Sequence, residues 1–263
     1  MMNLNLTMLF LLTNLAAAVA FMVVLWPVSI LKKDASIADI FWGLGFVFVA
    51  WLNFFLTGGY MGRKLLLVCL TTIWGGRLFL HILLRNRGKG EDPRYVAMRK
   101  NHGGRFWWVS LFSVFMLQGV LLWLVSLPLQ IGQLSPVPPE MTWVDGLGAL
   151  IWTIGFVFEA GGDWQLKQFL KRPENKGLVM DRGLWAYTRH PNYFGETLIW
   201  WGIYVITLAA PGTFWGIIGP ITITFLLLKV SGVPMLEKDL REQPEYRAYM
   251  ERTNAFFPWF QRK

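Results

Sequence analysis

Residues 183–196 read Gly-Leu-Trp-Ala-Tyr-Thr-Arg-His-Pro-Asn-Tyr-Phe-Gly-Glu, which sets a cation, an imidazole, an amide and a carboxylate at the mouth of an apolar segment that begins near Tyr193. Ionisable groups at membrane depth are costly and usually functional, so Arg189, His190, Asn192 and Glu196 mark a place where a charged ligand is held. Other polar residues sit beside apolar runs in the same way: Asp39, the pair Arg77 and His81, Arg94 and Tyr95 in a basic loop, the pair Glu159 and Asp163, and Lys229. Each of the two pairs is spaced four residues apart and therefore shares one helix face. Buried charges must pair or coordinate something. Mutual pairing, such as Arg77 with Asp39 or Glu159, explains any one of them. So many at one depth call for a ligand with both charged and donor-rich parts.

The residue types describe that ligand. Lys171, Arg172, Arg182, Arg189, Arg94 and Lys229 suit several phosphates, with arginine as the planar, two-pronged partner. Asp163, Asn192 and Glu196 suit ribose hydroxyls or a carboxamide, and Tyr187, Tyr193 and Trp185 offer faces to a flat ring. Together they fit a nucleotide cofactor reached from the cytosol, with the apolar interior left for a lipid-like substrate. An interfacial aromatic belt would also set Trp and Tyr beside charges.

The elements that must position these groups are membrane helices. Hydrophobic residues make up 54% of the chain and there are fifteen tryptophans, too apolar for a soluble domain, whose helices need polar faces. Apolar runs near the ~20 residues needed to cross a bilayer recur at 4–31, 37–56, 65–84, 107–127, 143–158, 193–210 and 214–230. The first is too long, and lacks a small-residue cleavage site, to read as a signal peptide. Lys and Arg crowd the segments after the first, third and fifth runs and the C-terminal tail through Lys263, whereas the loop 128–141 has none. By the positive-inside rule the N terminus faces outward and the C terminus the cytoplasm. The expected fold is thus an all-α integral membrane protein: one domain over residues 1–263, a seven-transmembrane helix bundle, in a bacterial inner membrane. The net charge of +9 reads as topology and attraction to anionic membrane lipids, and no motif favours nucleic acid. The lone Cys69 and the three dispersed histidines give neither a disulfide framework nor metal spacing. Phosphate-loop and Gly-x-Gly-x-x-Gly signatures are absent, Gly43 and Gly45 read as helix-packing positions, and no obligate protein partner is evident.

Glu159-x-x-x-Asp163, the basic Lys171-Arg172-Pro173, Gly183-Leu184-Trp185 and Asn192-Tyr193-Phe194-Gly195-Glu196 together resemble the C-terminal region of the steroid 5α-reductase family. Arg77-x-Phe79-x-x-x-Leu83-Leu84 resembles its third helix. Tyr187-Thr188-Arg189-His190-Pro191-Asn192-Tyr193 and Lys229-Val230-Ser231-Gly232-Val233-Pro234-x-x-Glu237 look most like its bacterial, DUF1295-like branch. The Arg-His-Pro-Asn-Tyr core also occurs in isoprenylcysteine carboxyl methyltransferases and in sterol C14 and C7 reductases. The resemblance implies seven helices, NADPH bound by the C-terminal half, and reduction of the Δ4 double bond of a 3-oxo steroid. By position it makes Asp163, Asn192 and Glu196 nucleotide contacts and Lys171 and Arg172 phosphate contacts, with Lys229 near an arginine that touches the cofactor. With the residue types it gives a cofactor-binding set that also includes Arg77, Arg94, Tyr95, Tyr187, Arg189, His190, Tyr193 and Glu237. The chain departs from the family in the catalytic half: Trp74 stands where a tyrosine polarises the substrate carbonyl, Asp39 is the nearest carboxyl to a missing Gln-Glu pair, and Glu237 lies near an absent histidine.

The chemistry expected of such a protein is hydride transfer from the nicotinamide to the β carbon of an enone, while negative charge grows on the carbonyl oxygen. With the tyrosine missing, the expected donors to that oxygen are a protonated Asp39, its carboxyl kept neutral by burial, or His81. A helix cap for Asp39 and an interhelical hydrogen bond for His81 are the plain alternatives. Two other classes stay open: an S-adenosylmethionine-dependent methyltransferase of the isoprenylcysteine type, and a sterol- or lipid-binding membrane protein without catalysis.

Overall fold

The computed structural model describes residues 4–262, with side chains from residue 6 onward; Lys263, counted above in the basic tail, lies outside the described residues. Among these the chain is helical throughout, without a strand. In order come α1 (Leu4–Lys32), α2 (Ile37–Leu56), α3 (Met61–Asn86), α4 (Pro93–His102), α5 (Phe106–Ser110), a π-helical segment (Leu111–Met116), α6 (Leu117–Val125) and α7 (Leu127–Ile131). Then follow α8 (Trp143–Leu170), α9 (Pro191–Thr207), α10 (Ile218–Phe225), a second π-helical segment (Leu226–Val230), α11 (Val233–Leu240) and α12 (Pro244–Arg252). Among the described residues, six helical stretches are long and apolar enough to cross a bilayer: Leu6–Lys32, Ile37–Leu56, Met61–Asn86, Pro93–Val125, Trp143–Leu170 and Phe214–Leu240. The run read at 193–210 forms α9, whose 17 residues fall short of that length. The chain divides into two compact units, Met1–Glu140 and Met141–Lys263.

In the first unit, glycines set how closely helices approach. A Cβ on Gly43 would sit 2.5 Å from the Gly75 carbonyl oxygen, so α2 and α3 touch backbone to backbone. Gly119 does the same for α6 against α1, where a Cβ would lie 2.7 Å from the Val19 Cα. Asp39 lies one turn before Gly43, and Gln118 directly precedes Gly119. Two buried amides, Asn14 and Asn53, exchange side-chain hydrogen bonds of 3.2 and 2.7 Å between α1 and α2, which satisfies polar groups that lipid could not.

The polar stretch after α3, read as a loop, contains the helix α4. Asp92 caps it by accepting from the Arg94 N–H at 2.9 Å, with Pro93 in the first turn and Gly103 (φ +53°) at its end. This is the ordinary start and stop chemistry of a helix.

In the second unit, α8 runs to Leu170, twelve residues beyond the end read from hydropathy at 158. Thr142 and Asp145 form a capping box at its start. Gly148, Gly155 and Gly162 recur every seven residues along it. Against them lie Gly202, Gly195 and Pro191 of α9: a Cβ on Gly148 would come 2.7 Å from the Gly202 oxygen, one on Gly155 2.6 Å from the Gly195 oxygen, and one on Gly162 3.0 Å from Pro191. A stripe of small residues lets two helices meet at their backbones. Its last contact brings Asp163 and Asn192, each one residue further along, side by side.

Candidate functional site

The first unit brings Asp39, Arg94 and Tyr95 together and adds Gln118. The Tyr95 hydroxyl donates to Asp39 Oδ1 at 2.7 Å, Gln118 Nε2 donates to the same oxygen at 2.9 Å, and Arg94 Nη2 donates to Oδ2 at 2.7 Å. Gln118 also reaches the tyrosine oxygen at 3.3 Å. Tyr95 is buried, Asp39 is half-buried, and the carbonyl oxygen of Gln118 is buried without a partner. Around this centre the α4 start is tied down twice: the Asp92 N–H donates to Ser36 Oγ at 2.7 Å, and Arg99 holds Glu91 with two hydrogen bonds while Glu91 accepts from the Ala35 N–H. Burial would raise the Asp92 carboxyl, but hydrogen bonds from Arg94 and the charges of Arg94 and Arg85 outweigh it and hold it below its ordinary value.

This geometry bears on two assignments. Asp39 was expected to donate as a neutral acid, whereas here both its oxygens accept, one of them from an arginine. Tyr95, placed above with the nucleotide contacts, donates its hydroxyl to Asp39 instead. His81 lies half-buried on α3 and is not among the groups bonded to Asp39.

In the second unit, Asn192 Nδ2 donates to Asp163 Oδ1 at 3.2 Å, while the Asn192 carbonyl oxygen is buried and unpartnered. Glu196 is one turn further along α9 on the same face. Trp185 supports this end of α8 by donating from Nε1 to the Gly162 oxygen at 3.0 Å, and Tyr249 in turn bonds to the Trp185 carbonyl.

Arg189, His190 and Glu237 form a separate, closed cluster. Arg189 Nε and Nη2 reach the two Glu237 oxygens at 2.8 and 3.3 Å, and its Nη1 bonds to the carbonyls of Thr253 and Met250. Glu237, with no exposed surface, also accepts from His190 Nε2 at 2.9 Å, Arg241 at 3.2 Å and the Tyr246 hydroxyl at 3.3 Å. Burial, then the Glu237 charge, raises the Tyr246 phenol above its ordinary range, so it stays a neutral donor. Thr188 continues the clamp by donating to the Phe256 oxygen, and the Arg189 N–H donates to the Asn254 oxygen. Arg189 and Glu237, expected on the cofactor, are committed to tying α11, α12 and the tail to the start of α9. His190 stacks on Tyr193 with ring centres 5.3 Å apart. Because its Nε2–H points at Glu237, its buried, unpartnered Nδ1 is an acceptor in the neutral ring.

Lys171, Arg172, Tyr187 and Lys229 have exposed side chains, with Tyr187 against the Phe260 ring. Arg77 lies half-buried on α3. Sequence reasoning passed over Gln118, Tyr246 and Tyr249. Gln118 carried a usable signal, a primary amide inside an apolar run.

Comparison with known proteins finds the family described as a protein of unknown function, DUF1295, matching residues 25–253. An uncharacterized protein of Schizosaccharomyces pombe is 27% identical over 271 aligned positions, which cover 89% of this chain and 76% of the relative. No solved structure gives a significant match.

Proposed function

We propose that this chain, which belongs to the DUF1295 family, is an NADPH-dependent membrane reductase of a conjugated carbon–carbon double bond in a steroid or similar lipid-like enone. The observation that carries the reading is the buried Tyr95 hydroxyl bonded to Asp39 beside Gln118 and Arg94, joined to the resemblance of the C-terminal motifs to steroid 5α-reductases. The unpartnered Asn192 oxygen beside the Asp163 carboxylate suits ribose hydroxyls or a carboxamide, both of which donate hydrogen bonds. Exposed Lys171 and Arg172 suit the phosphates. When bound, the reduced nicotinamide supplies the hydride. Tyr95 would then turn its one O–H proton from Asp39 to the enone oxygen as charge develops there, while Arg94 and Gln118 hold Asp39 in place, and a proton from water completes the α carbon.

Binding tests the cofactor half. Titration with NADPH should raise the melting temperature of the purified protein, whereas S-adenosylmethionine should not, as ligand linkage requires. Asp163→Asn should weaken the NADPH effect while leaving the ligand-free melting temperature near that of the wild type. Stabilisation by S-adenosylmethionine alone would favour methyl transfer and sink the reading.

The reductase reading carries the orientation with it: N terminus outside, C terminus in the cytoplasm of a bacterial inner membrane, and α9 as a seventh crossing. At ~1.5 Å per residue, α9 is about 26 Å long against a hydrocarbon core of ~30 Å, and the uncharged residues after it extend the apolar run. In a Cys69→Ser background, Glu140→Cys should react with a membrane-impermeant thiol reagent in intact cells and Glu174→Cys should not; both positions are exposed. The opposite labelling pattern would invert the topology and remove cytosolic access for NADPH.

A further inference from the structure

The first unit carries a surface groove that the reductase reading does not use. It has a volume of ≈ 430 Å³ and is lined by His102, Arg105, Trp108, Val109, Phe112 and Ser113, within the ~300–1,000 Å³ typical of ligand clefts. Its two ends differ in chemistry. At one end stand Arg105 and His102, both exposed. Arg105 makes no side-chain hydrogen bond or ion pair among the described residues. His102 bonds to the Met98 oxygen through Nδ1 at 2.9 Å, which leaves Nε2 to face outward. At the other end the walls are aromatic and aliphatic, with Trp108 42% and Phe112 55% exposed. No carboxylate lines the groove.

The backbone holds this shape. Trp26 of α1 donates to the Trp107 oxygen at 2.7 Å and packs its ring against that of Trp107 at 6.1 Å. The groove also runs over the start of the π-helical segment Leu111–Met116, a distortion frequently found at functional sites. A basic end continuous with an apolar, aromatic wall, on a helical stretch long and apolar enough to cross a bilayer, matches an amphiphile whose anionic head sits at the interface while its chain runs into the hydrocarbon.

We propose that this groove is a specific site for an anionic phospholipid, with its phosphate on Arg105 and an acyl chain against Trp108, Val109 and Phe112. A basic pocket at the interface recognises the head group. The apolar wall adds the burial that a free phosphate would not have.

The test uses the full-length protein in a neutral detergent, with bound lipid counted by native mass spectrometry and melting temperature read in parallel. Short-chain phosphatidylglycerol should be retained and should raise the melting temperature, phosphatidylcholine less so, and inorganic phosphate not at all. Arg105→Glu should weaken phosphatidylglycerol retention by about tenfold or more. Ser113→Trp, which fills the groove without changing charge, should weaken it as well, and Arg87→Glu, a charge reversal elsewhere on the surface, should not. Three results would overturn the proposal: equal retention by wild type, Arg105→Glu and Ser113→Trp; equal loss in Arg87→Glu; or the same stabilisation by inorganic phosphate alone.

Discussion

Tyr95→Phe is expected to lower the turnover of an enone by about 10²–10³-fold, the usual cost of removing one donor from a developing oxyanion, while NADPH binding stays near wild type. The phenyl ring keeps the buried packing of Tyr95 and removes only the hydroxyl that bonds to Asp39 at 2.7 Å. Asp39→Asn should be less severe, because it leaves the hydroxyl in place and disturbs its orientation through Arg94 and Gln118. The order of the two effects is the informative part. If Tyr95→Phe turns over normally and Asp39→Asn does not, the carboxyl is the acid, as the sequence alone suggested, and the geometric assignment fails. The readout is steady-state kcat for each variant, with NADPH-induced stabilisation as the check on folding and cofactor binding.

The second large effect is structural. Arg189→Ala removes one side of an ion pair in which Arg189 is 8% and Glu237 0% exposed. Breaking such a buried pair costs ~3–5 kcal/mol, toward the lower end here because Glu237 keeps its bonds from His190, Arg241 and Tyr246. The ligand-free protein should therefore melt well below wild type, or accumulate poorly, while any NADPH increment in the folded fraction is retained. Glu237→Gln should give a comparable loss: its amide oxygen still accepts from Arg189 Nε and His190, but its NH2 group faces the Arg189 and Arg241 donors and the Arg189 charge is left unpaired. Thermal unfolding in detergent with and without NADPH separates this role from phosphate binding. A normal melting temperature combined with a lost NADPH increment would return Arg189 to the cofactor.

These two residues show where the sequence was legible. Composition and apolar run length identified the membrane helices, and 37–56 coincides with α2, because an uninterrupted apolar stretch is visible in one dimension. The end of α8 was misread because hydropathy falls at Glu159 and Asp163, whereas the helix continues past them to Leu170, with Gly155 and Gly162 packed against α9. α4 was missed although Asp92-Pro93 spells a cap followed by a first-turn proline. The roles of polar residues were harder to read, because their partners are distant in the chain. Glu237 is 48 residues from Arg189, Tyr95 is 56 from Asp39, and Gln118 is 79 from Asp39. Residue type alone reads Arg189 as a phosphate ligand and Asp39 as an acid. Only the fold reveals that one is already neutralised and the other already accepts three hydrogen bonds.

The most direct test of the central claim follows NADPH oxidation by the purified, detergent-solubilised protein when a 3-oxo-Δ4 steroid is added, with the products identified by mass spectrometry. The account predicts enone-dependent oxidation of NADPH, stoichiometric with a product carrying two additional hydrogens, and its loss in Tyr95→Phe. Binding of NADPH without any oxidation across a panel of steroid and other lipid enones would contradict it, and would leave a lipid-binding membrane protein in place of a reductase.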